Sequence, residues 1–215
     1  MSRGVEKRVA RGDIIFEEGL VPKGIYILER GKVKLFQRTL SGTDQIMNIH
    51  VAGEIIGYRP LISNERYPVT ATALEAATLV FIPRKDFLSL LERSFVLSNT
   101  LLRFLSHEFT VWVNTISLHA GTTVRERLLL NLLILSVKYR EKTKWPIRIT
   151  LSKADLASLV GTSNETLARM LKKLKTEKLI TARGRMLELS GPEQLKKIQR
   201  ALLLLSDNAI SSKLT

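Results

Sequence analysis

The spacing of apolar residues changes once along the chain, and that change limits the folds open to it. Through residues 1–90 the apolar positions come in short runs, Asp13–Phe16, Ile25–Leu28, Val33–Arg38, Gln45–His50, Val69–Leu74 and Thr78–Ile82. In Lys32-Val33-Lys34-Leu35 polar and apolar residues alternate, the period-two signature of a half-buried strand. Glu18-Gly19, Arg30-Gly31, Ser41-Gly42 and Ala52-Gly53 punctuate the runs, at close to the roughly 8–12-residue intervals of an antiparallel roll or sandwich. Beyond Arg84 or Phe95 the period becomes helical. The fold class is therefore α+β.

The first part of the helical region, through His119, carries two apolar stripes. Leu102, Leu105, Phe109, Trp112, Ile116 and His119 follow one another at spacings of 3, 4, 3, 4 and 3, the a/d seam of a coiled coil. Leu97, Leu101, Phe104, Val111 and Leu118 form a second stripe. A helix apolar on two faces needs two partners. One is its own β domain. The narrow seam of Leu102, Leu105, Phe109, Trp112 and Ile116 predicts that the other is the same helix of a second chain, making a homodimer. Burial of both faces inside one larger core is the alternative.

Gly121 interrupts this pattern, and Thr123-x-x-Glu126 reads as a capping box opening a new helix through Arg140. Trp145-Pro146 ends that region, and Ile147–Thr150 alternates as a short strand would. Ser152-x-x-Asp155 then opens a helix with Leu156, Ala157 and Val160 on its apolar side. Gly161 supplies a tight turn with a left-handed backbone. Ser163 caps a following helix whose Leu167, Met170, Leu171 and Leu174 face inward. Two short helices, a small residue at their crossing and a glycine turn describe a helix-turn-helix. Leu179–Leu189 reads as a basic hairpin with Arg183-Gly184 at its tip, a wing beside the second helix. Gly191-Pro192 starts a last helix through about Leu205, with the remaining tail frayed.

Charge follows the same division. The 215 residues carry a formal charge of +14. Residues 1–120 hold 15 Lys/Arg against 12 Asp/Glu, and residues 121–215 hold 19 against 8. The excess sits on the helix-turn-helix half, which points to a polyanionic partner, nucleic acid before membrane. No run approaches the roughly 18 apolar residues of a spanning helix. The N-terminus, MSRGVEKRVARGDIIF, lacks the apolar region of a secretory signal, so the expected compartment is the cytoplasm. There is no cysteine, which excludes disulfides and thiolate-held metal or iron–sulfur centres.

On the second helix of the motif, Ser163, Asn164, Glu165 and Arg169 lie clear of the apolar stripe. Such N-terminal positions reach base edges in a recognition helix: glutamate accepts from cytosine N4, and arginine binds guanine bidentately. Asn164, Glu165 and Arg169 are the candidate base readers. Glu165 and Arg169 are spaced i,i+4, which predicts that they hold one another. Arg183 and Arg185 of the wing are candidate phosphate contacts, and Ser163 and Thr166 at the helix N-terminus are added to them.

These segments together resemble the family of the cAMP receptor protein and the fumarate-nitrate reduction regulator, over nearly the whole chain. The resemblance rests on Gly12-Asp13-Ile14-Ile15-Phe16-x-Glu18-Gly19, Ile25-Tyr26-Ile27-Leu28-x-x-Gly31-x-Val33-Lys34-Leu35, Gly53-Glu54-Ile55-Ile56-Gly57 and Gly161-Thr162-Ser163-x-Glu165-Thr166-x-x-Arg169-x-Leu171. It implies an N-terminal antiparallel β jelly roll of the cyclic-nucleotide-binding type over 1–94, a long dimerisation helix over 95–120, and a C-terminal winged helix-turn-helix over 121–215. Glu165 and Arg169 match the family's two main base-reading positions; Asn164 stands where the cAMP receptor protein has arginine. Ser152 and Lys153 match positions that touch phosphate.

The sensor half departs from the family's cAMP-binding members. Tyr58 occupies the position of a ribose-binding glutamate, and Tyr67-Pro68 stands about where an Arg-Ser pair holds the cyclic phosphate; Arg66 is adjacent. Glu54, Tyr58, Arg59, Arg66 and Tyr67 make up the candidate effector pocket, with cAMP not expected in it. The three histidines, His50, His107 and His119, do not suggest a haem site, and no cofactor is expected. The reading is a dimeric transcription regulator on a two-fold operator in double-stranded DNA, with RNA polymerase as a protein partner and an effector of unnamed chemistry. The alternative is an enzyme-regulatory subunit that uses the roll as a nucleotide sensor. The sequence offers no Ser/His/Asp grouping, P-loop or His/carboxylate cluster for catalysis. Glu165 argues against a nucleoid-type binder, since a carboxylate facing DNA costs affinity unless it reads a base.

Overall fold

The structure, a computed structural model, describes residues 4–39, 42–140 and 145–211; at 111–112, 114–121 and 203–211 it describes the backbone alone. Two compact units divide the chain, 1–116 and 117–215.

In the first unit, strands β1 (Val5–Val9), β2 (Ile14–Phe16), β3 (Gly24–Arg30), β4 (Lys32–Arg38), β5 (Asp44–Val51), β6 (Ile55–Ile56), β7 (Thr70–Ala73) and β8 (Ala77–Pro83) form two antiparallel sheets. Their orders are β1-β8-β3-β6 and β2-β7-β4-β5. The alternation in Lys32-Val33-Lys34-Leu35 is realised: Val33 and Leu35 are buried, and the lysines are half-buried. Phe16, Tyr26, Leu28, Val33, Leu35, Ile56, Tyr67, Ala71, Ala77 and Leu79 make one core.

The sequence reading assigns no element to Val5–Val9, Ile55–Ile56 or Tyr58–Ile62, yet the first two are strands and the third is helix α1. β1 escapes pattern reading because its residues are almost all exposed and it carries Glu6, Lys7 and Arg8. Such charges suit an edge strand, where they discourage pairing with another chain. Lys7 Nζ lies 4.7 Å from the centroid of the Phe81 ring, and Arg8 pairs with Glu6 at 2.7 Å.

Of the two starts the sequence left open for the long helix, Phe95 begins α3 (Phe95–Gly121), and Arg84 begins a separate helix, α2 (Arg84–Arg93). Ser94 separates them with an extended backbone, φ −123° and ψ 95°. It ends α2 through its own N–H to the Leu90 carbonyl, and its Oγ accepts from the Leu97 N–H. Leu101, 8% exposed, belongs to a second core with Ile25, Tyr58, Leu61 and Phe87. Leu105 packs against that cluster too, so this member of the expected seam covers the chain's own roll instead of facing wholly away. Leu102 and Phe109 remain 62% and 71% exposed. The Trp112, Ile116 and His119 side chains lie outside the described residues, as do those of Val111 and Leu118.

The second unit holds α4 (Val124–Lys138), β9 (Ile147–Thr150), α5 (Lys153–Val160), α6 (Asn164–Thr176), β10 (Thr181–Arg183), β11 (Met186–Leu189) and α7 (Pro192–Ser211). The expected capping box opens α4: Thr123 Oγ1 accepts from the Glu126 N–H, and the Glu126 carboxylate accepts from the Thr123 N–H. β10, β11 and β9 form an antiparallel sheet in that order. Arg183 pairs with Met186, so the hairpin turns at Gly184-Arg185, one residue later than expected. α7 continues to Ser211, past the expected end at Leu205.

Leu128, Leu132, Ile149, Val160, Leu167, Leu174 and Ile198 are fully buried in this unit. Truncation of one of them leaves a cavity the rigid neighbours cannot fill. Leu132→Ala is expected to cost about 2–5 kcal/mol, read as a lower urea midpoint at an unchanged slope. Among the described residues no helix is long and apolar enough to cross a membrane.

Candidate nucleic-acid interface and roll cavity

The helix-turn-helix is set by its caps. Ser152 is the N-cap of α5, its Oγ accepting from the Asp155 N–H at 2.9 Å. At the other end Gly161 takes φ 68° and ψ 55°. The left-handed turn lets the Thr162 N–H reach back to the Ala157 carbonyl at 3.0 Å, closing the helix as a Schellman motif does. Ala157 is buried. Ser163 then caps α6, accepting from the Thr166 N–H at 3.2 Å. Leu167, Leu171 and Leu174 are buried and Met170 half-buried, while Asn164, Glu165 and Arg169 are exposed.

Along the exposed side of α6 the side chains form a connected row. Ser163 Oγ donates to Thr166 Oγ1 at 3.2 Å, and Arg169 Nη2 donates to the same Thr166 oxygen at 3.3 Å. The Glu165 carboxyl is held below the usual carboxylate range by its own backbone N–H first and by the Ser163 hydroxyl second. Arg169 thus bonds Thr166 and not the expected Glu165, whose carboxylate lies at the helix start, where free N–H groups favour negative charge. Ser152 is half-buried; Lys153, Arg183 and Arg185 are exposed.

Sequence reading missed three residues around this motif. Arg125 donates to both carboxylate oxygens of Glu177, at 2.8 and 2.7 Å. Glu177 is the C-cap of α6. Arg127 donates to three carbonyls: Nε to Val160 at 2.9 Å, Nη1 to Thr122 at 2.8 Å and Nη2 to Gly161 at 3.1 Å. For the two arginines the sequence signal was their place beside the Thr123–Glu126 capping box; Glu177 carried none. The hydrogen bond from Arg125 pulls the Glu177 carboxyl below its ordinary range. A depressed carboxyl stabilises the fold fully above its unfolded pKa, about 4.3, and that contribution fades as pH falls through the lower folded value.

In the roll, the candidate effector residues part company. Tyr58, Arg59 and Tyr67 line a cavity of about 30 Å³ together with Phe16, His50 and Glu108. Phe16 and Tyr67 stack with centroids 3.9 Å apart and planes at 12°. The Tyr67 hydroxyl donates to the Gly24 carbonyl at 3.3 Å. Tyr58 donates to a Glu108 carboxylate oxygen on α3 at 2.7 Å, and Arg59 stands 3.9 Å from the same oxygen. Burial, then Glu108, pushes the Tyr58 phenol well above its ordinary value. Arg66 is not among the lining residues and donates instead to the Gly19 carbonyl at 2.9 Å. Glu54 does not line the cavity either; its carboxylate lies 2.7 Å from His50 Nδ1, out of line for a hydrogen bond. Pockets that hold ligands run to roughly 300–1,000 Å³, so this one is filled by its own aromatic rings. Among the described residues no group of His, Cys, Asp and Glu is arranged to hold a metal.

Comparisons with known proteins match each half separately. Residues 6–94 match the cyclic nucleotide-binding domain and residues 126–198 the Crp-like helix-turn-helix domain. The fumarate and nitrate reduction regulatory protein of Yersinia pestis is 26% identical over 195 residues, 90% of this chain and 78% of that protein. The transcriptional activator protein Anr of Pseudomonas protegens is 27% identical over 187 residues, 86% of this chain and 76% of Anr. In fold, the chain is similar to FixK2 from Bradyrhizobium japonicum, with a TM-score of 0.79 at 19% identity, covering 91% of this chain and 96% of FixK2. A CRP/FNR-family regulator from Thermus thermophilus gives a TM-score of 0.73 at 20% identity, covering 90% and 97%.

Proposed function

Because the chain belongs to the CRP/FNR family of DNA-binding transcription regulators, we propose that it acts as a homodimer reading a two-fold operator with one α6 per half-site. Transcription regulation replaces the enzyme-regulatory subunit that the sequence left open, since the matched domains and relatives are those of regulators. In this reading residues 1–94 are the sensor, 95–120 the dimerisation helix and 121–215 the DNA-binding domain. Its work is in the cytoplasm, and RNA polymerase is its further protein partner.

The observation that carries the reading is the capped start of α6. Thr166, itself bonded to the Ser163 hydroxyl, holds Arg169 by a hydrogen bond on the exposed side of a helix whose opposite side is buried. Asn164, Glu165 and Arg169 are the base readers, with Ser152, Lys153, Ser163, Thr166, Arg183 and Arg185 at the phosphates. Selection from random DNA tests it. A recovered consensus with two inverted half-sites about one helical turn apart is expected; recovery without a consensus would remove the base-reading role.

The reading leaves cAMP out. The cavity of about 30 Å³ has room for little more than a water or two, and the stacked Phe16 and Tyr67 rings are among its walls. Arg59, the cation among the described lining residues, already faces Glu108. Calorimetry is expected to give no heat of cAMP binding, and operator affinity is expected to be the same with and without cAMP. A low-micromolar dissociation constant would show that the roll opens.

A further inference from the structure

A recognition helix is useful only if its axis is fixed, because a side chain displaced by an ångström loses its bond to a base edge. α6 has a short α5 before it and a hairpin after it, and its buried leucines resist lifting more than sliding or tilting. Both of its ends are instead tied by side chains from one turn of another helix.

At the leading end, Arg127 binds three carbonyls with three different nitrogens. Val160 is the last residue of α5 and Gly161 its C-cap. Their carbonyls have no partner further along the helix and form the negative end of its dipole, so a cation is well placed there. The third carbonyl, Thr122, lies in the link into α4. One guanidinium thus joins that link to the turn that launches α6. At the trailing end, Arg125 grips Glu177 with a bidentate pair, the strongest and most directional form of ion pair. Arg125 and Arg127 stand two residues apart in the first turn of α4, whose start is itself fixed by the Thr123–Glu126 capping box.

We propose that the first turn of α4 is the positioning element of the DNA-reading helix, with Arg127 fixing the turn before α6 and Arg125 fixing the residue after it. Arg127 commits three of its five N–H donors and Arg125 two of its five to partners within the protein, and in this proposal both act through α6, not on DNA. Lysine cannot take the place of Arg127, because one ammonium on a flexible stem does not span three carbonyls as a planar fork does. The Arg125–Glu177 pair, in contrast, can be reversed. This proposal rests on α6 being the base-reading helix.

The test uses the full chain and two duplexes, one selected by the parent chain from random DNA and one scrambled. Binding is titrated at two salt concentrations for Arg127→Lys, Arg125→Glu, Glu177→Arg, the double variant Arg125→Glu/Glu177→Arg, and Arg169→Ala. Circular dichroism establishes that each is folded at the working temperature; where Arg127→Lys does not fold, the charge-reversal set carries the test. Arg127→Lys and Arg125→Glu are each expected to lose roughly tenfold or more on the selected duplex, the scale of one misplaced base contact. Binding to the scrambled duplex should stay within about twofold, and its salt slope should not change, because no phosphate contact is removed. The double variant is expected to recover most of the selectivity.

Folded variants that bind both duplexes as the parent does would overturn the proposal. So would equal losses on both with a shallower salt slope, which would make the arginines phosphate contacts. Arg169→Ala separates the two levels of failure. If it loses selectivity while the arginine variants keep theirs, only the clamp is wrong; if it loses none, the base-reading role of α6 is wrong and the clamp falls with it.

Discussion

A chain carrying Phe109→Glu is expected to sediment as a monomer at micromolar concentrations where the parent chain sediments as a dimer, and to lose most of its operator affinity. Phe109, Leu102 and Val113 of α3 are all exposed, at spacings of seven and four residues that put them on one side of the helix. Phe95 and Val96 at its start are exposed as well. Burying each such side chain against a partner helix is worth roughly 1.5–3 kcal/mol, and symmetry counts every contact twice. A carboxylate at position 109 removes that gain and adds the cost of desolvating two like charges close together. Phe109 is a cleaner probe than Leu105, whose side chain packs on the roll, so its replacement would disturb the sensor unit also. DNA affinity should fall with the dimer, because tethering two reading helices can raise avidity by about 10²–10⁴ over one. A parent chain that sediments as a monomer at these concentrations would refute the dimer and leave the exposed face of α3 to another partner.

What was legible in the sequence, and what was not, divides by the range of the interactions involved. The caps of α4, α5 and α6 rest on bonds between residues three apart, Thr123 with Glu126, Ser152 with Asp155 and Ser163 with Thr166. A pattern search sees such pairs directly. The same holds for Gly161, whose left-handed turn is a property of one residue, and for the alternation of β4. The Glu165–Arg169 pair shows the limit of local reasoning: the spacing was right, but Thr166, three residues before Arg169, takes the guanidinium's hydrogen bond. Interactions across sequence leave no such trace. Tyr58 and Glu108 are 50 residues apart, and Arg125 meets Glu177 across 52. The departure at Tyr58 from a ribose-binding glutamate could be seen in the sequence. That its phenol would instead reach α3 depends on where the roll places α1. Arg127 is invisible for a different reason: its partners are backbone carbonyls, which no residue type announces.

The largest effect on selectivity is expected from Arg169→Ala. The Arg169 guanidinium is exposed on α6 and steadied by one hydrogen bond to Thr166, leaving its remaining donors to meet a guanine edge. Its loss should cost about 1–3 kcal/mol on the selected operator and relax the preference at one guanine position, with little change on a scrambled duplex. Thr166→Val should reproduce part of this loss, since it keeps the shape of the side chain but removes the oxygen that orients Arg169. Lys153, Arg183 and Arg185 belong to a different class. All three are exposed, and none has a base-reading position on α6. Replacing one of them by alanine should weaken binding to both duplexes alike and lower the salt slope by about one unit. Lys172, Lys173 and Lys175 lie further along α6 and should contribute mainly long-range attraction, so their replacement should matter at low salt and fade as salt rises. The readout is the ratio of affinities for the two duplexes, measured at two or more salt concentrations. If Arg169→Ala lowered both affinities equally, the base-reading role would be gone, and α6 would be only a basic face set against the phosphates.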